Sequence, residues 1–179
     1  MSYNEIIDLY YPAGTLRRDI FLKHARSVTE KAIEIARRKR LPLDEDEITE
    51  AAMLHDIGIF LTDAPGIDCR GDAPYIAHGT LGAQLLRDNG FDEKYARVAE
   101  RHTGAGISAS DIDELSLPLP RRDLMPESLL ERLICYADKF YSKSGDMKEK
   151  SLEKVRASMS RHSESTAQRF ERLHKEFGE

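Results

Sequence analysis

The sequence predicts an all-α fold, a bundle of amphipathic helices. Apolar residues recur at spacings of three and four along several stretches, the mark of one buried helical face. Segments rich in Gly, Pro and Asp separate those stretches. No segment shows the sustained apolar–polar alternation of a strand.

From about Leu16 to Arg40, the residues Ile20, Phe21, His24, Ala25, Val28, Ala32, Ile35 and Ala36 form one stripe, so His24 faces the core. The run Arg37-Arg38-Lys39-Arg40 reads as the C-terminus of that helix, where cations complement the helix dipole, and Pro42 stops it. Asp44 and Asp46 are candidate caps for a second helix reaching about Phe60. Its second half, AAMLHDIGIF, is apolar almost all round, with His55 and Asp56 its ionisable groups. LTDAPGIDCRGDAPY then reads as loop. A third helix begins near His78, carries Leu81, Leu85 and Leu86 on its inner face and stops at Asn89-Gly90. Asp92 caps a short helix through Tyr95, Ala96 and Ala99 to His102. A second long loop runs from Thr103 to Pro126, a residue that suits a helical first turn. Leu130, Leu133, Ile134, Ala137, Asp138 and Tyr141 share the next inner face. From about Met147, the residues Leu152, Val155, Met159, His162, Phe170, Leu173 and Phe177 predict a C-terminal amphipathic helix over about 147–177. It packs on the rest of the chain or on a second copy in a homodimer. His162 reads as a structural member of that stripe, and His174 as solvated.

The 179 residues suffice for a single domain, 1–179, with a motif-bearing core of about 15–145. MSYNEIIDLYY has neither the basic start nor the apolar stretch of a secretory signal. No apolar run approaches the roughly 20 residues of a membrane span. Cys69 and Cys135 match neither a disulfide framework nor a CxxC metal site; Cys135 reads as a buried thiol, and a cytoplasmic location is expected. A net charge of −5 argues against a surface for long nucleic acid. It is compatible with a local basic pocket for one small phosphorylated ligand.

His24, the pair His55-Asp56, His78, His102 and Asp138 lie on, or at the end of, five separate helical stretches. Taken alone, a histidine on an apolar face is ordinarily a hydrogen-bonded core residue. Independent buried groups of this kind would each need their own partner, and a buried carboxylate beside a histidine is costly without one. One metal cluster satisfies all six together. Imidazole and carboxylate are the mixed N/O donors that Zn, Fe, Mn, Co and Ni accept.

The pieces FLKHARSV, AAMLHDIGIF, APYIAHGTLGAQLL, ERHTGAG and LICYADKFYSK span roughly residues 15 to 145. In that order they resemble the motifs of the HD-domain superfamily of metal-dependent phosphohydrolases. The resemblance implies a helical bundle around a binuclear site holding two divalent transition-metal ions (Fe, Mn, Ni, Co or Zn). One ion would be held by His24, His55, Asp56 and Asp138, the other by Asp56, His78 and His102. Asp56 would bridge through its two oxygens. Within the superfamily the chain is most similar to the binuclear bacterial type that splits diadenosine tetraphosphate symmetrically. His78-Gly79-Thr80-Leu81-Gly82-Ala83, His102-Thr103-Gly104 and Tyr136-Ala137-Asp138 carry that similarity. The chain departs from that type at Ile59, where a Lys is frequent, and lacks the GYP element of the cyclic-dinucleotide phosphodiesterases.

The resemblance implies hydrolysis of a phosphate ester or anhydride, in a nucleotide or dinucleoside polyphosphate, by a hydroxide bridging the two ions, with His55 and Asp56 at the catalytic centre. Arg70, Arg101, Lys139 and Lys143 are candidate phosphate clamps, and Thr103 to Gly106 a candidate backbone anion nest. Three other readings of the ligand set stay open: a diiron oxygenase, a non-catalytic nucleotide-binding sensor, and an RNA-cleaving enzyme. The last is disfavoured by the acidic balance and the lack of an RNA-binding module.

Overall fold

The computed structural model describes all residues, Met1–Glu179. Ser2 opens α1 (Tyr3–Tyr10) through a capping box with Glu5. This helix buries Ile6 and Ile7 and delivers Tyr11 to the core. Helix α2 (Leu16–Lys39) starts at its Thr15 cap and ends where Arg40 turns left-handed, at φ 52°. The Leu41 N–H then bonds the Ala36 carbonyl at 2.9 Å and closes the helix end. Arg37, Arg38 and Lys39 form the last turn, and Arg38 also donates to the Phe177 carbonyl.

Asp44 caps α3 (Glu45–Leu54), accepting from the Asp46 N–H at 2.8 Å. The helix expected to reach about Phe60 stops at Leu54. Beyond it the chain winds more tightly, Ile57 N–H bonding Leu54 and Ile59 N–H bonding Asp56. The Tyr11 hydroxyl donates to the Ile57 carbonyl at 2.8 Å, supplying from α1 a partner that a continuing helix would have provided. The loop expected after it contains a two-residue hairpin, β1 (Asp63–Ala64) antiparallel to β2 (Cys69–Arg70), too short for any periodic signal.

Helices α4 (His78–Asp88) and α5 (Glu93–Arg101) follow, the second capped by Asp92. Glu100 of α5 is 4% exposed and accepts from Arg87 of α4 (3.1 Å) and from Arg122 of the second long loop (3.0 Å). Burial alone would raise its carboxyl, but hydrogen bonds from Arg122 and Arg87 outweigh that and lower it. A carboxyl lowered by folding stabilises the native state above its unfolded pKa and loses that contribution as pH falls through the folded value. Glu100→Gln is therefore expected to cost about 1–2 kcal/mol at neutral pH, the outer guanidiniums being partly solvated. It should also flatten the acid limb of stability below the ordinary Glu value of 4.5. Urea unfolding of both proteins between pH 3 and 7 checks this; parallel curves would contradict it.

The second loop contains α6 (Ala109–Glu114), opened by a Ser108–Asp111 capping box. Ile112 of α6 clusters with Ile107 and Leu124, which anchors the loop. Helix α7 (Leu129–Asp138) begins at a Ser128 cap, so Pro126 precedes the helix instead of lying in its first turn. The C-terminal helix expected from about Met147 is two helices, α8 (Leu152–His162) and α9 (Glu164–Phe177). Ser163 breaks them: its backbone is extended, and its hydroxyl accepts from the Thr166 N–H at 3.0 Å to start α9. Val155, Met159, Phe170, Leu173 and Phe177 still face the core. His162, at the end of α8, is exposed and is no part of that core. His174 is half-buried instead of solvated, its Nδ1 2.9 Å from the Tyr136 hydroxyl. One large apolar cluster unites residues of α1 to α5 and α7 to α9, Cys69 and Cys135 among them. No helix is long and apolar enough to cross a membrane.

Candidate metal centre

Five helical segments converge at one end of the core. His24 projects from α2, His55 and Asp56 from the turn after α3, and His78 is the first residue of α4. His102 follows α5, and Asp138 ends α7. His24, His55, Asp56, His78 and His102 are all buried, and Asp138 nearly so.

Asp56 lies at the centre, and its two oxygens divide the cluster. Oδ2 is 3.2 Å from Nε2 of both His24 and His55. Oδ1 is 3.4 Å from Nε2 of His78 and 3.2 Å from Nε2 of His102. Asp138 Oδ1 completes the first group, 2.9 Å from His24 Nε2 and 3.3 Å from His55 Nε2. The Nε2 atoms of His78 and His102 face each other at 3.0 Å. Within each group the donor atoms lie within 4.8 Å of one another.

The backbone sets the orientation of three of the four rings. Nδ1 of His55 lies 2.6 Å from the Ala52 carbonyl, that of His78 2.6 Å from Tyr75, and that of His102 2.7 Å from Ala99. Each partner stands three residues earlier. For His55 and His102 it belongs to the end of a helix, where carbonyls lack intrahelical partners. These acceptors take the Nδ1 proton and turn Nε2 toward the centre, where it can ligate an ion once it carries no proton of its own.

Lysines shape the charge around the cluster. Burial alone would raise the Asp56 carboxyl, but the charges of His55 and Lys143 hold it well below the usual carboxylate range. Burial opposes a charged His55, yet Asp56 and Asp138 raise it to about 10. Burial pushes His102 down to about 4. Lys139 donates to Asp138 Oδ2 (2.7 Å) and to the His102 carbonyl (2.8 Å), tying the end of α7 to the end of α5. The Lys143 ammonium pairs with Asp56 Oδ2 at 2.8 Å.

Neither buried oxygen of Asp56 accepts a well-directed hydrogen bond, and the buried Nδ1 of His24 has no partner. Lys143 compensates the Asp56 charge on one oxygen, and a buried carboxylate without directed hydrogen bonds is still costly. Four imidazole nitrogens and two carboxylates at one point are donors that divalent transition metals accept. The residues fit a metal centre able to hold ions in both groups.

The other candidate residues divide. A cavity of about 430 Å³ opens on the Asp138 side, and Lys139, Lys143 and Lys150 line it. Lys150 was not distinguishable in the sequence, where it looks like any surface charge beyond Met147. Thr103 lines a neighbouring cavity of about 390 Å³ that reaches His78. Arg101 and Arg70 line neither cavity. Arg101 is drawn away by the Met125 carbonyl (3.0 Å) and by Glu127 (3.1 Å). Arg70, opposite Asp63 in the hairpin, is exposed to solvent, with Asp68 4.0 Å from its Nε.

Comparison with known proteins gives several relatives, three of them as follows. Over 169 residues the chain is 32% identical to a tRNA (cytidine(56)-2'-O)-methyltransferase of Thermoplasma volcanium, covering 94% of this chain and 44% of that protein. A protein of the same name from Picrophilus torridus is 30% identical over 158 residues, 88% of this chain and 41% of its own length. An uncharacterized protein of Methanocaldococcus jannaschii is 38% identical over 120 residues, 65% of this chain and 63% of that protein. The chain thus spans less than two thirds of each. No solved structure matches it with significance. The HD domain family matches residues 21–143, a stretch that contains all six converging side chains. With its helical architecture and its buried His–Asp cluster, this chain belongs to the HD domain family.

Proposed function

We propose that the chain is a metal-dependent phosphohydrolase using two divalent ions and acting on a phosphate ester or anhydride of a nucleotide. The observation that supports it best is the division of Asp56: one carboxylate oxygen faces each ligand group, beside a lysine-lined cavity. His24, His55, Asp56 and Asp138 would hold one ion, and Asp56, His78 and His102 the other. Such ions lower the pKa of a water toward neutrality and neutralise charge on a phosphoryl oxygen.

The rest is done by the protein. His55, His78 and His102 are held by backbone carbonyls, so their donor atoms are placed before any ion arrives. Lys139 holds Asp138 in position. Lys150 lines the cavity as a compact charge suited to a substrate phosphate, and Lys143, paired with Asp56 Oδ2, would turn to phosphate once an ion takes that oxygen. Tyr75 stacks on the His78 ring at 4.6 Å and covers that ligand's outer face.

The names of two relatives favour a second reading, a part in tRNA 2'-O-methylation. More than half of each of those proteins lies outside the aligned stretch. The cluster aligned to the HD family offers ligands for metal ions and nothing specific to methyl transfer, so hydrolysis is the stronger reading.

The test is release of phosphate or nucleotide from a panel of nucleotides and dinucleoside polyphosphates. The protein is loaded in turn with Mn, Fe, Ni, Co and Zn. Metal-dependent release is expected with at least one substrate. Methyl incorporation into tRNA from a methyl donor, without hydrolysis, would install the second reading. Oxygen consumption on substrate addition, again without hydrolysis, would point to an oxygenase.

A further inference from the structure

The two cavities beside the cluster differ in chemistry and share a wall. Tyr75, Gly104 and His162 border both. The first reaches Asp138 and is lined by lysines. The second reaches His78, in the other ligand group, and its lining includes Ile76, Ile107, Leu115 and Leu117. We infer that they form one bipartite substrate site, in which the apolar cavity takes the base of a nucleoside phosphate while the lysine cavity takes its phosphates. The inference deepens the phosphohydrolase reading and rests on it.

Several observations point the same way. The apolar cavity, about 390 Å³, falls within the range of small-molecule sites, roughly 300–1,000 Å³. Leu115 is 57% exposed and Tyr75 39%, and both border this cavity. Large apolar side chains left in water around a concave site mark a surface that a ligand covers. The acidic member of the lining, Asp111, is paired with Arg169 at 2.6 Å, so no uncompensated anion faces an incoming nucleotide. Gly104 and Gly106 have left-handed backbones, at φ 58° and 95°, and form the turn between the two cavities and the His102 helix end. His162 stands on the shared wall, where a sugar joining base to phosphate would lie. A substrate laid across both cavities would pass over both ligand groups, with the phosphates nearest Asp138.

Leu115→Glu tests this without touching the cluster, because the side chain is exposed and the fold does not depend on it. Adenosine monophosphate and inorganic pyrophosphate are the probes, titrated into the zinc-loaded 179-residue chain, with amide resonances followed by NMR. Adenosine monophosphate is expected to shift Ile107, Leu115 and Leu117 as well as residues around Lys143, and pyrophosphate to shift the second set alone. Leu115→Glu should weaken the nucleotide at least tenfold and leave pyrophosphate within twofold; on a hydrolysed nucleotide it should raise KM with kcat unchanged. If hydrolysis occurs but nucleotide affinity ignores Leu115→Glu, the base cavity is overturned and the phosphohydrolase reading stands. If both cavities respond but no metal supports hydrolysis, the subsite stands and that reading falls. A response at neither cavity overturns both. A dimer in sedimentation that Leu115→Glu converts to monomer would make the apolar cavity a contact between copies and overturn the proposal.

Discussion

Asp56→Ala is expected to abolish metal loading and, with it, any metal-dependent turnover. Asp56 supplies an oxygen to each ligand group, so its loss opens both at once. Removing a residue that merely supports a ligand typically costs 10–100-fold in affinity or activity, and a shared ligand should cost more, about 10³-fold or beyond. The effect separates from simple misfolding by ligand-linked stability. An ion at about 100 times its Kd stabilises the native chain by about 2.7 kcal/mol. At about 2–4 °C per kcal/mol for a chain of this size, the wild-type Tm should rise by roughly 5–10 °C for each ion loaded. Asp56→Ala should fold and show no such rise. Asp138→Ala and His102→Ala are the controls, since each damages one group and should leave one ion per chain. Elemental analysis and thermal melts report both quantities. Two ions per chain in Asp56→Ala, with the full Tm rise, would sink the shared-ligand assignment. Loss of both ions in each single-group variant would show that the two groups fill as one unit.

The legibility of this chain followed physical range. His24 was readable because its neighbours at three and four residues are buried apolar side chains, which fixes its direction. Asp138 was readable for the same reason on α7. The capping boxes Ser2–Glu5 and Ser108–Asp111 are local signals too, and their three-residue spacing marks the starts of α1 and α6. Ser163 is a similar case: a polar run around a cap residue marks the break that separates His162 from the apolar stripe. Other features depend on contacts between distant segments. The Tyr11 hydroxyl meets the Ile57 carbonyl across the core, and this helps end α3 six residues before Phe60, a boundary that no local pattern encodes. Arg101 and Arg70 illustrate the same limit. Their charge suited phosphate, but Glu127 and the hairpin register decided where they point. Lys150 joins the lysine cavity through a fold-level return of the chain, and nothing adjacent to it announces that.

Gly58→Ala is expected to be a strongly damaging methyl-sized change beside the ligand cluster. Its backbone is ordinary, with φ −85° and ψ −2°, so alanine would meet no conformational penalty there. The obstacle is space. A Cβ at Gly58 would lie 2.5 Å from the Gly82 nitrogen and 2.8 Å from its Cα, with the His78 carbonyl nearer still. All three are backbone atoms of α4, which cannot rotate aside as a side chain could. The contact is reciprocal, because a Cβ at Gly82 would fall 3.0 Å from the Gly58 nitrogen. Glycine at both positions lets the turn that carries His55 and Asp56 lie directly on the helix that begins with His78. Relief of the clash would move α4 away and pull His78 from Asp56 Oδ1. Overpacking typically costs about 1–3 kcal/mol and occasionally more, and contact with rigid backbone belongs at the upper end. The Tm should fall by roughly 6–12 °C, from about 3 kcal/mol at 2–4 °C each. The ion held through His78 and His102 should be lost before the one held through His24 and Asp138. Gly66→Ala, where a Cβ meets nothing within 4 Å, is the matched control and should leave Tm unchanged. A Gly58→Ala protein with the parent Tm and both ions would show that α4 can retreat without cost, and that close backbone contact is not what aligns the two ligand groups.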